Sequence, residues 1–199
     1  MIPGKASLPQ KRRGAGRIGT IGRGDLRVDV SRAGARQFTI REFRRGDFNR
    51  LWEIDQACFP PGISYSQLEL LTYMRRLGSF TLVAERAAGA NAPGARASAV
   101  GFIVAEAGSG KAGHIITIDV VESARRNGLG SRLLAAAEER LRQAGCRAVL
   151  LETAVDNAPA LAFYKRYGYF LLKTVPGYYS NGVDALVLKK DLLSSVPSG

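Results

Sequence analysis

From Gln37 onward, apolar residues recur at every second position, then at every third or fourth, and then at every second again. Each change of period marks an element. Phe38-Thr39-Ile40-Arg41-Glu42-Phe43 alternates and predicts a first strand. Phe48 to Phe59 has a helical period through Leu51 and Trp52, with Asp47 placed to cap it and Pro60-Pro61-Gly62 to stop it. A second helix is expected from Ser66, whose pairing with Glu69 forms a capping box and whose apolar side is read as Leu68, Leu71, Met74 and Leu77. Three strands follow, at 79–85, 97–107 and 114–121. Their short glycine-rich connections predict antiparallel hairpins. From Gly128 to Ala144 the stripe Leu129, Leu133, Leu134, Ala137 and Leu141 predicts a helix that Gly145 terminates. The apolar run 147–153 comes directly after it, as in a βαβ crossover. A short helix over 157–167, ended by Gly168, precedes two last strands at 169–174 and 183–189, with residues 176–182 as the loop between them.

This order predicts a mixed sheet with helices packed on it, an α/β (α+β) class, in one folded domain over residues 37–193 with a short tail at 194–199. Residues 1–36 differ in composition. They are rich in glycine, poor in large apolar groups, and hold nine basic residues against Asp25 and Asp29, which is more than half of the net charge of +12. They are expected to form a flexible basic arm, with a short strand conceivable at 23–30. The arm either attracts RNA, ribosomes or another acidic partner, or is simply a solubilising tail. No apolar run is long enough to span a membrane, and the first residues lack the apolar centre of a secretory signal, so a cytoplasmic location is expected. The oligomeric state is not legible.

The chemistry-bearing residues are few. Cys58 and Cys146 form neither a disulfide framework nor a metal site, and both are expected to be filler. His114, the only histidine, is expected to be a structural residue at a strand edge, and no ligand set for a metal converges. One segment stands apart. Residues 118–130 carry a strand end, a basic glycine-containing turn with Arg125 and Arg126, and the start of the amphipathic helix at Gly128-Leu129-Gly130. Unpaired N–H groups at a helix start bind anions, and glycine admits a phosphate close to the backbone. Taken alone, the pattern also suits a plain tight turn. It is neither a P-loop nor a dinucleotide fingerprint.

Arg125, Gly128 and Gly130 match the Arg/Gln-x-x-Gly-x-Gly/Ala pattern. Downstream, Asn157, Ala160, Phe163-Tyr164 and Gly168-Tyr169 match Asn-x-x-Ala-x-x-Leu-Tyr-x-x-x-Gly-Phe, with Phe163 and Tyr169 as mild substitutions. On these two motifs in this order, the chain resembles the GCN5-related N-acetyltransferase (GNAT) superfamily. The resemblance implies the GNAT-like acyl-CoA N-acyltransferase fold and acetyl-CoA as acyl donor. It implies that the diphosphate sits on Arg125, Arg126, Gly128, Gly130 and Ser131. It further implies that the pantetheine arm pairs with Val120 and Val121, and that Asn157 touches the arm. Glu122 stands where proline is frequent and is expected to point outward.

Acyl transfer to an amine needs a proton acceptor and a proton for the leaving thiolate, but no enzyme nucleophile. Glu152, at the end of the run 147–153, and Tyr164 are the candidates by position. Resemblance to the branch that acetylates protein N-termini, the ribosomal-protein alanine acetyltransferases among them, implies Glu152 as base, directly or through water, and Tyr164 as acid. Tyr178-Tyr179 in the segment 178–185 resembles that branch's peptide-holding tyrosine pair, and Phe59, Pro60 and Tyr65 resemble its loop over the first residues of the peptide. The expected activity is acetyl transfer from acetyl-CoA to a protein or peptide N-terminus. Acetylation of a small amine or a lysine, and a non-catalytic acyl-CoA-binding module, are the alternatives. The preferred acceptor sequence is not legible.

Overall fold

The computed structural model describes residues 37–87, 97–108 and 110–192. The basic arm with its conceivable strand at 23–30, residues 88–96 and 109, and residue 193 with the tail 194–199 lie outside the described residues.

Seven strands form one sheet: β1 (Phe38–Glu42), β2 (Ser79–Arg86), β3 (Ser98–Ala107), β4 (Ala112–Val120), β5 (Ala148–Ala154), β6 (Phe170–Val175) and β7 (Ala185–Asp191). Their order is β1-β2-β3-β4-β5-β7-β6. Every pairing is antiparallel except β4 with β5. Four helices complete the described fold: α1 (Phe48–Cys58), α2 (Gln67–Met74), α3 (Leu129–Gln143) and α4 (Ala158–Arg166).

Two apolar layers sandwich the sheet. On one side α3 and α4 set Leu129, Leu133, Leu134, Ala137, Leu141, Ala160 and Tyr164 against Ile103, Ile115, Ile118, Val149 and Leu151. On the other, Leu51 and Ile54 of α1 and Leu70 and Tyr73 of α2 cover Val83, Phe102, Val104 and Ile116. The α3 stripe is as the spacing predicts, and it also buries Glu138, which is 7% exposed. That carboxylate accepts hydrogen bonds from the Tyr169 hydroxyl at 2.9 Å and Lys190 Nζ at 2.6 Å, so the buried charge is paired. At the far end of α3, Gly145 takes φ +87, and the N–H groups of Gly145 and Cys146 bond Arg142 and Leu141, a Schellman closure.

Two local expectations are corrected. Asp47 does not cap α1. Its carboxylate holds the Arg41 guanidinium at 2.7 and 2.9 Å and the Arg44 N–H at 2.7 Å, which ties the helix start to β1 instead. In α2 the buried residues are Leu70 and Tyr73, whereas Leu68 and Leu77 are 74% and 98% exposed. The Ser66–Glu69 capping box forms as expected.

The parallel pair governs the middle of the sheet. It runs only through Ala112–Ala148, Gly113–Val149 and His114–Leu150, and beyond that point β4 and β5 part. Each strand keeps its outer neighbour, β3 and β7. A gap therefore opens in the centre of the sheet, with the backbone of β4 on one flank and that of β5 on the other. The ladder between β3 and β4 also shifts between Val104 and Ala105, leaving an extra residue in β4.

Candidate active site

Along β4, Gly113, Ile115 and Ile118 face α3. A Cβ on Gly113 would lie 2.7 Å from the Leu141 methyls, and the two isoleucines join the α3 layer. His114, Ile116, Thr117 and Asp119 therefore face α1 and α2. Ile116 belongs to that layer, and Thr117 Oγ1 donates to Asp119 Oδ2 at 3.0 Å. The extra residue in β4 is what brings His114 and Asp119, an odd number of positions apart, to one face. On β5, Val149 and Leu151 belong to the α3 layer, which leaves Glu152 on the other face.

Glu152 and His114 meet there. His114 Nε2 lies 2.6 Å from Glu152 Oε2, and the Glu152 side chain is 14% exposed. His114, expected to be merely structural, is thus in contact with the candidate base. The sequence holds one signal for it, its being the sole histidine, on a strand that a parallel crossover joins to the glutamate strand.

Tyr164, on α4, lies in the apolar layer between that helix, α3 and the sheet. It is fully buried, and its hydroxyl has no hydrogen-bond partner among the described residues. Burial, with the charge of Asp119 and the Tyr179 phenol adding to it, holds its pKa well above the usual phenol value. The phenol is therefore a proton donor throughout the physiological range. Asp119 is itself fully buried, an acid inside the apolar run of β4 that sequence reasoning passed over.

Four more tyrosines gather on the Glu152 face. Tyr65 and Tyr73 stack at 5.3 Å between ring centroids, and Tyr178 and Tyr179 meet edge-on at 5.2 Å. Burial raises the pKa of Tyr73 to about 12, with the Glu152 charge contributing, and pushes up Tyr65 and Tyr179 too. Three side chains of α1 fix the Tyr65 backbone. Asp55 Oδ2 accepts its N–H at 2.7 Å, while Trp52 Nε1 and Gln56 Nε2 donate to its carbonyl at 3.1 and 2.8 Å. Phe59 is buried at the end of α1, whereas Pro60 is exposed and its carbonyl closes a local turn onto Ile63 and Ser64. The loop after α1 also touches the loop between β6 and β7. Ser180 Oγ donates to the Gly62 carbonyl at 2.7 Å, and Ile63 packs with Tyr178, Tyr179 and Val183.

At the mouth of the gap on the α3 side stands the basic turn. Gly128 caps α3 at φ +70, and the first intrahelical bond runs from Arg132 N–H to the Gly128 carbonyl. The amides of Leu129, Gly130 and Ser131 are thereby left to face outward from the helix start. Arg126 is exposed at φ +64, and Glu122 is exposed as expected. Arg125 behaves differently from its motif partners. Its Nε donates to the Val120 carbonyl at 2.8 Å and its Nη2 lies 3.7 Å from Cys58 Sγ, so the guanidinium turns into the protein. Cys58 is held close by, 3.6 Å from the Val120 oxygen, and burial pushes its thiol up to about 12, which makes it inert.

The two valines at the strand end differ. Val121 N–H bonds the Val100 carbonyl of β3. By the alternation of an antiparallel ladder, Val120 then turns its N–H and C=O away from β3 toward the gap. The Val120 carbonyl there takes Arg125 Nε at 2.8 Å, so it is the Val120 N–H that is left toward an extended ligand, and Val121 N–H is not. Asn157 caps α4, its side-chain oxygen taking the Ala160 N–H at 3.2 Å. Ser131 Oγ accepts from the Tyr167 hydroxyl at 2.5 Å. The outward amides, the open β4 edge and the orphaned Tyr164 hydroxyl fit a long anionic cofactor whose reactive end lies in the gap.

Residues 48–169 match the acetyltransferase (GNAT) family. An N-alpha-acetyltransferase of Saccharolobus solfataricus is 27% identical over 79% of this chain and 95% of its own length. An uncharacterized N-acetyltransferase of Methanocaldococcus jannaschii is 31% identical over 76% of this chain and 90% of its own. Among solved structures, Ard1 from Thermoplasma volcanium superposes with a TM-score of 0.68 at 31% identity, covering 79% of this chain and 99% of that one.

Proposed function

The chain belongs to the acetyltransferase (GNAT) family and is an acetyl-CoA-dependent N-acetyltransferase, and from that premise we propose that its acceptor is the N-terminal α-amine of a protein or peptide. The observation that carries the choice is the Ser180–Gly62 bridge between the two loops beside the tyrosine cluster. Joined loops leave room for a thin chain end that is threaded in, and obstruct a lysine standing on a folded surface. The name of the Saccharolobus solfataricus relative, an N-alpha-acetyltransferase, supports the same acceptor.

The bound cofactor supplies an acetyl thioester. In this reading Leu129, Gly130 and Ser131, with Gly128 and Arg126, hold its diphosphate, and Val120 and Asn157 line its arm. Arg125 contributes its backbone to the turn and its side chain to the junction with α1. Glu152 accepts the proton of the incoming ammonium, directly or through one water, with His114 fixing the carboxylate. Tyr164 donates its proton to the departing sulfur. Phe59, Tyr65, Tyr178 and Tyr179, joined by Tyr73, bound the first residues of the acceptor. Pro60 lies at the rim. The basic arm adds a salt-sensitive attraction to an acidic partner such as the ribosome surface.

The test is mass spectrometry of products after incubating an N-terminal peptide library, lysine peptides blocked at the α-amine and a panel of small amines with acetyl-CoA. Acetyl groups are expected on α-amines. Turnover confined to small amines or to lysine side chains overturns the acceptor, and binding of acetyl-CoA without any transfer overturns the catalytic assignment of Glu152 and Tyr164.

A further inference from the structure

Groups from the end of β4, the basic turn and α1 meet in a triangle. The Val120 carbonyl accepts from Arg125 Nε at 2.8 Å, and Cys58 Sγ lies 3.6 Å from the same oxygen. Arg125 Nη2 closes the triangle, 3.7 Å from the sulfur. The Cys58 thiol keeps its proton, so it donates to the carbonyl while its lone pairs face the guanidinium. Arg126, next in the chain, is exposed at the mouth of the turn, whereas Arg125 directs its donors into the protein.

Cys58 is the last residue of α1, and the chain beyond it is tied back to the same helix. The Phe59 N–H bonds the Asp55 carbonyl, the Pro60 carbonyl accepts from Ile63 and Ser64, and the Tyr65 backbone is gripped by Trp52, Asp55 and Gln56. The loop that bounds the acceptor is therefore set by where the end of α1 lies. Near its start the helix is fastened to the sheet by Arg50 Nε, which donates to the Ala99 carbonyl at 3.3 Å. Near its end the triangle is a second polar fastening.

We propose that Arg125 is a positioning residue for the acceptor: through Cys58 it sets the end of α1, and with it Phe59 and Tyr65, against the open edge of β4. The inference rests on the acceptor reading above. It gives the side chain of the first motif residue a task on the acceptor side of the gap, while the amides of the turn hold the cofactor. One residue of β4 then serves both substrates. The Val120 N–H is left toward the cofactor arm, and the Val120 carbonyl, through Arg125 and Cys58, locates the loop over the peptide.

The experiment is a double-mutant cycle on the full chain, read by steady-state kinetics with an α-amine peptide and by calorimetric titration with coenzyme A. Arg125→Gln places an amide nitrogen near the position of Nε, within reach of the Val120 carbonyl, but has nothing that reaches the sulfur. Cys58→Ala removes the other partner and lies outside the cofactor turn. Each is expected to raise the peptide KM by about fivefold, the scale of one hydrogen bond. In each, kcat and the coenzyme A dissociation constant are expected to stay within about twofold of wild type. The double variant is expected to match the single ones, because all three lack the same contact. Cys58→Ser, which restores a donor and an acceptor, is expected to lie closer to wild type than Cys58→Ala. Weaker coenzyme A binding in Arg125→Gln with an unchanged peptide KM returns that side chain to the phosphates and overturns the proposal. A wild-type peptide KM in Cys58→Ala overturns it too, as do losses that multiply in the double variant. Wild-type protein that acetylates no peptide α-amine overturns the acceptor reading and the positioning role with it.

Discussion

The pairing of His114 with Glu152 changes what each side chain can do. A carboxylate alone at a strand end rotates freely and is bathed in water. Held at 2.6 Å by an imidazole and 14% exposed, it has one orientation. Tyr164 is the opposite case, a fully buried phenol whose hydroxyl has no hydrogen-bond partner among the described residues, kept protonated by burial. The two are expected to fail differently. Tyr164→Phe keeps the ring packing and the affinity for acetyl-CoA but lowers turnover, nearer the lower end of the range of about 10²–10⁴ for acid–base groups, because a thiolate is a tolerable leaving group. Glu152→Gln lowers kcat/KM by a factor that shrinks as pH rises, since a peptide α-amine titrates near about 8 and is then already neutral. The raised pKa of Tyr164 places loss of its proton above the usual phenol range, so wild type should show no alkaline fall attributable to it. The pH–rate profiles of wild type and both variants test this. A Glu152→Gln profile identical to wild type removes the base, and full activity in Tyr164→Phe removes the acid. The two carboxyl-end and motif residues were legible because their local sequence is distinctive. His114 was not, because its partner is 38 residues away and only the parallel register and the extra residue in β4 bring them to one face.

At the scale of elements, the sequence was most legible where a helix is long. Fifteen residues of α3 give a stripe with one reading. The eight residues of α2 span two turns, and Leu68 with Leu71 is as periodic as Leu70 with Tyr73. Spacing cannot choose between such faces; the tertiary demand for a ring against Tyr65 does. The turn into α3 gives a prediction of its own. Gly128 sits at φ +70, and a Cβ there would meet no protein atom within 4 Å. Gly128→Val is therefore expected to strain the backbone by about 1–3 kcal/mol while its methyls obstruct only what approaches from outside. The folded variant should bind acetyl-CoA at least about tenfold more weakly, the scale of a lost charge-assisted hydrogen bond. Titration of the variant, with circular dichroism to show that it is folded, is the check. Wild-type affinity would move the diphosphate elsewhere.

For the whole molecule, strand order was inferable in outline from connection lengths: short links for β2-β3-β4, a helical crossover to β5. The insertion of β7 between β5 and β6 was not inferable, since nothing in two short strands says which of them lies inside. The division at residue 37 gives the last prediction. β1 begins at Phe38, and the preceding residues offer little apolar surface to bury. Deleting 1–36 is expected to leave a cooperatively folding enzyme that acetylates a short peptide at the wild-type rate, measured by thermal melting and a peptide assay. Failure to fold moves the boundary into the arm.

The parting of β4 from β5 has one more consequence. A sheet normally carries its unpaired N–H and C=O groups on its outermost strands, where another chain can add to them and start aggregation. This sheet has a second pair of such rims, turned to face each other across an interior slot. These rims lie between β3-β4 and β5-β7, inside the sheet, so a chain adding to an outermost strand does not meet them. A narrow, extended molecule with amides of its own has the groups to pair with such rims. What is ordinarily a hazard at the outside of a β-protein, an unpaired strand edge, here lies at the centre of the sheet.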